Sequence, residues 1–270
     1  MERIKQAIEK AKQQSPDAFA TDARPAAPAN DQPAEIGELQ YERTKVVRLD
    51  AGHLERNRIV AFDKNAPTHW AFDLLRTQVL KKMEENGWRT LAITSPTPEA
   101  GKSVVSINLA MSIAHYTTRT ALLVDFDLRR PRVGAYLGLP MEKSLNDVLS
   151  GEAEVQDAMV NPSLPRLVVL PTRKPLRHSA ETLSSPKVAN LIADLRSRYE
   201  SRVIIFDLPP LLACDDAMAV LPKMDCVLLV VGNGMSTQPE IEEAMHHLEK
   251  SNVIGTVLNK AHAEPRPYYY

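Results

Sequence analysis

Cysteine is scarce in this 270-residue chain: Cys214 and Cys226 are the only two, and they form no Cys-x-x-Cys pair. No other soft ligand lies near either one in sequence, which argues against a cysteine-held metal and against dithiol redox chemistry. Both read as small core residues. Long apolar runs are also missing. The longest, Cys226 to Val231 and Ala217 to Leu221, fall far short of the roughly 20 residues a membrane-crossing helix needs. The N-terminus, Met-Glu-Arg-Ile-Lys-Gln, lacks the apolar block of a secretory signal, so the sequence reads as cytoplasmic. An excess of either charge is absent too. The formal net charge is -1, which gives no global pull toward nucleic acid or an anionic membrane. No repeat of fixed period is present, and the length suits one large α/β domain or a smaller one with a tail.

What is present changes along the chain. Over residues 1 to 14, Ile4, Ala7, Ile8 and Ala11 give a short, weakly amphipathic helical stripe, too poor in apolar area to be stable alone. Residues 15 to 37 are rich in Pro, Ala, Asp and Gln and read as a linker. Residues 38 to 66 read as an irregular approach to the core, at the start of a domain spanning 38 to 264. A helix is predicted from Thr68 to Asn86, with Phe72, Leu75, Val79, Leu80 and Met83 on one face. Beyond it, strand-like runs alternate with segments long enough for helices: Thr90 to Thr94, Ala121 to Asp127, Leu167 to Pro171, Val203 to Asp207, Cys226 to Val231 and Val253 to Asn259. Most are apolar at consecutive positions, as central strands covered on both faces require. The expectation is a doubly wound, mostly parallel α/β sheet.

Residues 95 to 103, Ser-Pro-Thr-Pro-Glu-Ala-Gly-Lys-Ser, lie between the first of these strands and a helical pattern from Val104 to His115. A phosphate-binding loop needs that context, inward backbone N–H groups, a Lys and a hydroxyl. Here Pro98, Glu99, Ala100 and Gly101 would form the loop, with the helix start at Val104 completing the phosphate cradle. Lys102 would reach the β- and γ-phosphates, and Ser103 would ligate Mg²⁺. One departure stands out. In the G-x-x-x-x-G-K-[ST] pattern the first glycine falls on Pro96, so of the two glycines only Gly101 remains.

Three carboxylates sit at the ends of apolar strands. Val124-Asp125-Phe126-Asp127-Leu128-Arg129-Arg130-Pro131 provides two, and Val203-Ile204-Ile205-Phe206-Asp207-Leu208-Pro209-Pro210 the third. Open α/β sheets bind ligands at that edge, and an Asp there can hold a magnesium ion directly or through water. If the strand continues through both, Asp125 and Asp127 point to the same side. One could then hold the metal while the other accepts a proton; which does which stays open.

These residues together resemble the bacterial tyrosine kinases of exopolysaccharide biosynthesis, specifically soluble autokinases of exosortase-type or capsule loci. The resemblance spans about residues 65 to 270. It rests on the loop, the Asp125 to Pro131 run, Asp207-Leu208-Pro209-Pro210 with Asp216 after it, Ala180 to Ser185, and Leu258-Asn259-Lys260. It implies ATP and Mg²⁺ as cofactors, with Lys102 and Ser103 binding them. It also implies phosphoryl transfer by Asp125 and Asp127, metal binding by Ser103, Asp125 and Asp207, and nucleotide contact by Asn259. The tail, Pro265-Arg266-Pro267-Tyr268-Tyr269-Tyr270, offers phosphate acceptors on an extended segment able to enter a neighbour's site. The implied partner is a separate membrane-spanning polysaccharide co-polymerase that recruits the chain to the inner face of the membrane. Self-association through the tyrosine tail is implied as well.

The chain departs from this family at several points. Pro-Gly-Glu-Gly-Lys is replaced by Pro98-Glu99-Ala100-Gly101-Lys102, and the family's Glu-x-x-Arg-x-x-Arg motif falls on Trp70, Asp73 and Arg76. Two other functions share the fold: a partitioning-type ATPase switch and a nucleotide-binding regulatory subunit without transfer activity. The first usually has Lys-Gly-Gly-x-Gly-Lys, where this chain has Thr97, Pro98 and Glu99 in the first three places.

Overall fold

The computed structural model describes residues 44–63, 69–115, 119–198 and 201–261. The helix expected over 1 to 14, the linker over 15 to 37 and the tyrosine tail lie outside the described residues. Eight strands among them form one sheet: β1 (Lys45–Val46), β2 (Thr90–Thr94), β3 (Thr120–Asp125), β4 (Val160–Asn161), β5 (Leu167–Leu170), β6 (Arg202–Asp207), β7 (Cys226–Gly232) and β8 (Val253–Asn259). Their spatial order is β1-β4-β5-β3-β6-β2-β7-β8. Pairing is parallel except between β4 and β5.

The helices are α1 (Ala51–Arg56), α2 (His69–Glu85), α3 (Lys102–His115), α4 (Val133–Leu137), α5 (Leu145–Ser150), α6 (Val155–Ala158), α7 (Ser179–Ser184), α8 (Pro186–Ser197), α9 (Asp216–Val220) and α10 (Gln238–His247). They cover both faces, and the strand pleat sorts side chains between two cores. Leu91, Ile93, Ala121, Leu123, Val203 and Ile205 enter the core on the α2 and α3 side. Ala92, Leu122, Val124, Ile204 and Phe206 enter the other, with Val188, Ile192 and Leu195 of α8. Consecutive apolar residues in β2, β3 and β6 are the direct consequence, because both faces of each strand are buried.

The six long strands match the sequence pattern to within two residues. β3 stops at Asp125, short of the expected Asp127. Phe126 N still donates to Asp207 O at 2.9 Å, but Asp127 N turns to Asp125 Oδ1 at 3.3 Å. The expected irregular approach contains β1 and α1, elements too short for a periodic signal. Asp50 starts α1 by accepting from His53 N. The approach is pinned by buried Asn108 of α3, whose Oδ1 accepts from Val60 N and Ala61 N at 2.8 Å each and whose Nδ2 donates to Arg58 O at 3.1 Å.

Helix α2 buries His69, Val79, Leu80 and Met83. Arg76, the one member of the Glu-x-x-Arg-x-x-Arg motif that this chain retains, pairs with Asp73 at 2.5 Å and donates to Ser112 Oγ of α3 at 3.2 Å. In this chain that arginine ties two helices of one protomer together.

Candidate active site

The carboxyl ends of β2, β3 and β6 meet where the chain order reverses, the usual ligand crevice of an open α/β sheet. Strand β2 delivers the loop at residues 95 to 101, and α3 starts at Lys102. Thr94 Oγ1 donates to Pro209 O at 2.7 Å, and Ser95 Oγ donates to Thr97 O at 2.8 Å, which fix the loop's departure from the strand. Val105 N donates to Gly101 O at 3.0 Å, so the helix begins directly behind the loop and leaves its first N–H groups facing the crevice.

The loop keeps a glycine-like path without the expected glycine. Glu99 has φ +63, in the left-handed region that side-chain-bearing residues resist. Gly101 has φ +91, and a Cβ there would overlap Asn259 Nδ2.

Register pairs Asp125 with Asp207 across β3 and β6. Lys102 Nζ lies 2.7 Å from Asp127 Oδ2 and 3.7 Å from Asp207 Oδ2, and 3.4 Å from Ser103 Oγ. Asp125 is engaged differently. Its Oδ2 accepts from the backbone N–H groups of Arg132 and Val133 at 3.1 and 3.0 Å, which anchors the start of α4. Asp127 Oδ1 accepts from Arg130 N at 2.9 Å, leaving Oδ2 to Lys102. Ser106 Oγ donates to Asp207 Oδ1 at 3.2 Å. Asp207 Oδ2 is buried and makes no direct hydrogen bond.

Crowding these charges out of water shifts them. Burial, reinforced by the Asp207 charge, pushes the Asp125 carboxyl well above the ordinary carboxylate range, against the pull of Lys102. Burial raises Asp207 as well, with Lys102 opposing it. Burial alone would depress the Lys102 ammonium, but Asp207, Asp127 and Asp125 together hold it above its usual value.

Above this cluster opens a cavity of about 580 Å³, lined among others by Pro98, Glu99, Gly101, Lys102, Ser103 and Val104 of the loop and α3. Its other walls include Asp127, Arg129, Arg130, Arg132, Pro209, Pro210 and Lys260. The structure thus brings together most of the residues expected from the sequence. Ala100 is the exception within the loop; it is buried and its carbonyl faces Asn259. Asn259 Nδ2 donates to Ala100 O at 2.8 Å, next to Lys260 of the cavity lining. Tyr268, Tyr269 and Tyr270 lie outside the described residues.

Other residues had no sequence signal. Tyr136, Arg132 and Cys214 reach the cavity wall only because α4 and the segment before α9 fold over it. Arg129 is anchored by Asp216 Oδ1 at 2.8 Å and Ser179 Oγ at 3.1 Å, which links the β3 end to α7 and α9.

No family model matches the chain. It is 32% identical over 198 residues to the putative tyrosine-protein kinase EpsB of Ralstonia nicotianae, covering 73% of this chain and 26% of that protein. The chain therefore spans about a quarter of the length of that relative. The tyrosine-protein kinase CpsD of Streptococcus agalactiae is 30% identical over 200 residues, covering 73% of this chain and 85% of CpsD. Among solved structures, the kinase domain of Escherichia coli tyrosine kinase ETK superposes with a TM-score of 0.69 at 26% identity, over 91% of this chain and all of that domain. The septum site-determining protein MinD of Pyrococcus horikoshii, at 24% identity and a TM-score of 0.55 over 66% of this chain and 74% of its own, shares the fold alone. On the strength of the match that runs through most of CpsD, the chain belongs to the bacterial tyrosine-protein kinase family.

Proposed function

We propose that the chain is an ATP-dependent protein-tyrosine autokinase that phosphorylates Tyr268, Tyr269 and Tyr270 in trans and regulates exopolysaccharide polymerisation and export. The observation that carries this reading is the meeting of Lys102, Asp127 and Asp207 beneath a cavity bordered by the phosphate loop.

The residues fit magnesium ATP. Asp207 Oδ2 is a buried carboxylate oxygen without a direct hydrogen bond, the Ser103 hydroxyl acts on the same carboxylate, and such a pair suits a hard cation. The loop N–H groups and the start of α3 suit phosphates, and Lys102 is within reach of both. When bound, magnesium ATP supplies the phosphoryl group and the cation that neutralises its charge.

A tyrosine hydroxyl is a weak nucleophile at neutral pH and needs a carboxylate beside it. Asp127 Oδ2 is the better candidate for its proton, because it gives up only Lys102 when that lysine turns to phosphate. Both Asp125 oxygens already accept backbone N–H groups, so Asp125 serves to hold the Asp127 to Val133 turn in place. Ser103 and Asp207 hold the metal, and Gly101, Lys102 and Val104 line the nucleotide phosphates.

The family resemblance supports a membrane-spanning polysaccharide co-polymerase as activator, recruiting the chain to the membrane's inner face, and self-association through the tail. Each phosphate added to the tail carries roughly two negative charges, which would disfavour docking on a neighbour. Phosphosite mapping by mass spectrometry after incubation with magnesium ATP and activator tests the reading. Labelled terminal tyrosines in the wild type and none in Lys102→Met are expected; an unlabelled wild-type tail refutes it.

A further inference from the structure

Glu99, the side-chain-bearing residue of the loop with positive φ, is followed by a peptide unit that is held from outside. Asn259, the last residue of β8, donates from Nδ2 to Ala100 O at 2.8 Å. Gly101 lies so close to Asn259 that no Cβ fits between them. Gly232, at the end of β7, lies close as well: a Cβ there would come 3.1 Å from the Ala100 Cα. A second tie lies earlier in the loop, where Thr97 Oγ1 meets Ser236 Oγ at 2.8 Å. The ends of β7 and β8 therefore brace the loop, whose Glu99, Gly101 and Lys102 line the cavity together with Lys260.

No described peptide bond is cis, and in a trans peptide the C=O and the following N–H point in opposite directions. A carbonyl of Ala100 held toward Asn259 sends the N–H of Gly101, a residue of the cavity lining, away from Asn259. We infer that Asn259 is a positioning residue: through the Ala100 carbonyl it aims the Gly101 N–H at the phosphates, in a loop whose left-handed position carries Glu in place of Gly. The inference rests on the reading of the cavity as the phosphate site.

A residue that touched the nucleoside would affect only ligands that carry one. Asn259 acting through the loop affects any polyphosphate equally. The test is calorimetric titration of the whole chain with magnesium ATP and, separately, with magnesium tripolyphosphate, in wild type, Asn259→Ala and Asn259→Asp. The aspartate keeps the size, lacks the donor and repels the carbonyl.

Both ligands should weaken together by about five- to tenfold in Asn259→Ala, the loss of one hydrogen bond, and by more in Asn259→Asp, with binding still one to one. In turnover assays KM for ATP should rise by the same factor, while kcat moves less than about twofold, since uniform binding is what is lost. Weakening of ATP with tripolyphosphate unchanged would overturn the inference, as would two variants binding both ligands like wild type. A wild type that binds neither ligand would overturn the phosphate-site reading along with it.

Discussion

Lys102 Nζ lies 2.7 Å from Asp127 Oδ2, so the lysine that opens the helix behind the loop neutralises the carboxylate proposed above as the base. Phosphate and carboxylate compete for one cation. In the proposed reaction, a phosphate that draws Lys102 away frees Asp127, and the proposed base then becomes available only when the nucleotide is present.

That competition predicts opposite effects on binding and transfer. Asp127→Asn should bind ADP without magnesium several-fold more tightly, because Lys102 no longer gives up an ion pair. Its transfer rate should fall by about a hundredfold or more, the usual contribution of a positioned base. Titration and single-turnover labelling check both; weaker ADP binding would remove the competition.

The buried carboxylates make stability depend on pH in a definite direction. Asp125 and Asp207 have folded-state pKa values above the ordinary 3.8, so the folded chain holds protons that the unfolded chain has released. Their contribution is fully present below that ordinary value and is lost as pH rises through the raised ones. The slope is at most about 1.4 kcal/mol per pH unit for each proton involved. Urea unfolding at pH values rising from the ordinary 3.8 should show stability falling with pH, and Asp125→Asn should flatten the profile. An unchanged profile in that variant would assign the proton elsewhere.

Glu99 occupies the left-handed region with φ +63. Glu99→Gly should remove that strain, offset in part by the greater freedom of glycine in the unfolded chain, for a net gain of about 0.5 kcal/mol. Loss of a negative charge at the cavity wall should also tighten ATP. Thermal unfolding and titration read the two effects separately.

Arg129 covers one oxygen of Asp216, a fully buried carboxylate. Arg129→Met should destabilise by about 2 kcal/mol, because it leaves a buried charge without its partner. Adding Asp216→Asn should recover part of that loss. A double variant as unstable as the sum of the singles would show the two residues to be independent.

Phe126, between Asp125 and Asp127, and Phe206, just before Asp207, pack with ring centroids 5.0 Å apart. Phe206→Ala should cost about 3 to 5 kcal/mol, and denaturant unfolding measures it.

Much of this site was legible beforehand because strands buried on both faces write themselves as unbroken apolar runs, and a polar residue ending such a run marks the sheet edge. Thr90 to Thr94, Val124-Asp125 and Phe206-Asp207 carry that signal, and Gly101-Lys102-Ser103 follows the first of them. The short elements β1, α1 and β4 were not legible. Two to six residues hold no periodicity, and their order comes from partners such as Asn108, distant in sequence.

The phosphate loop, the three aspartates and the order of strands and helices were determined by sequence alone, since each depends on neighbours a few residues away. Only the tertiary structure divided the roles. It set Asp127 against Lys102, committed Asp125 to backbone N–H groups, and put Asn259 behind the loop. It also turned Arg76 inward and folded Tyr136 and Cys214 over the cavity. Those assignments rest on distances of a few ångströms between segments up to 159 residues apart, and hydrogen bonds and ion pairs are decided by such distances rather than by residue type.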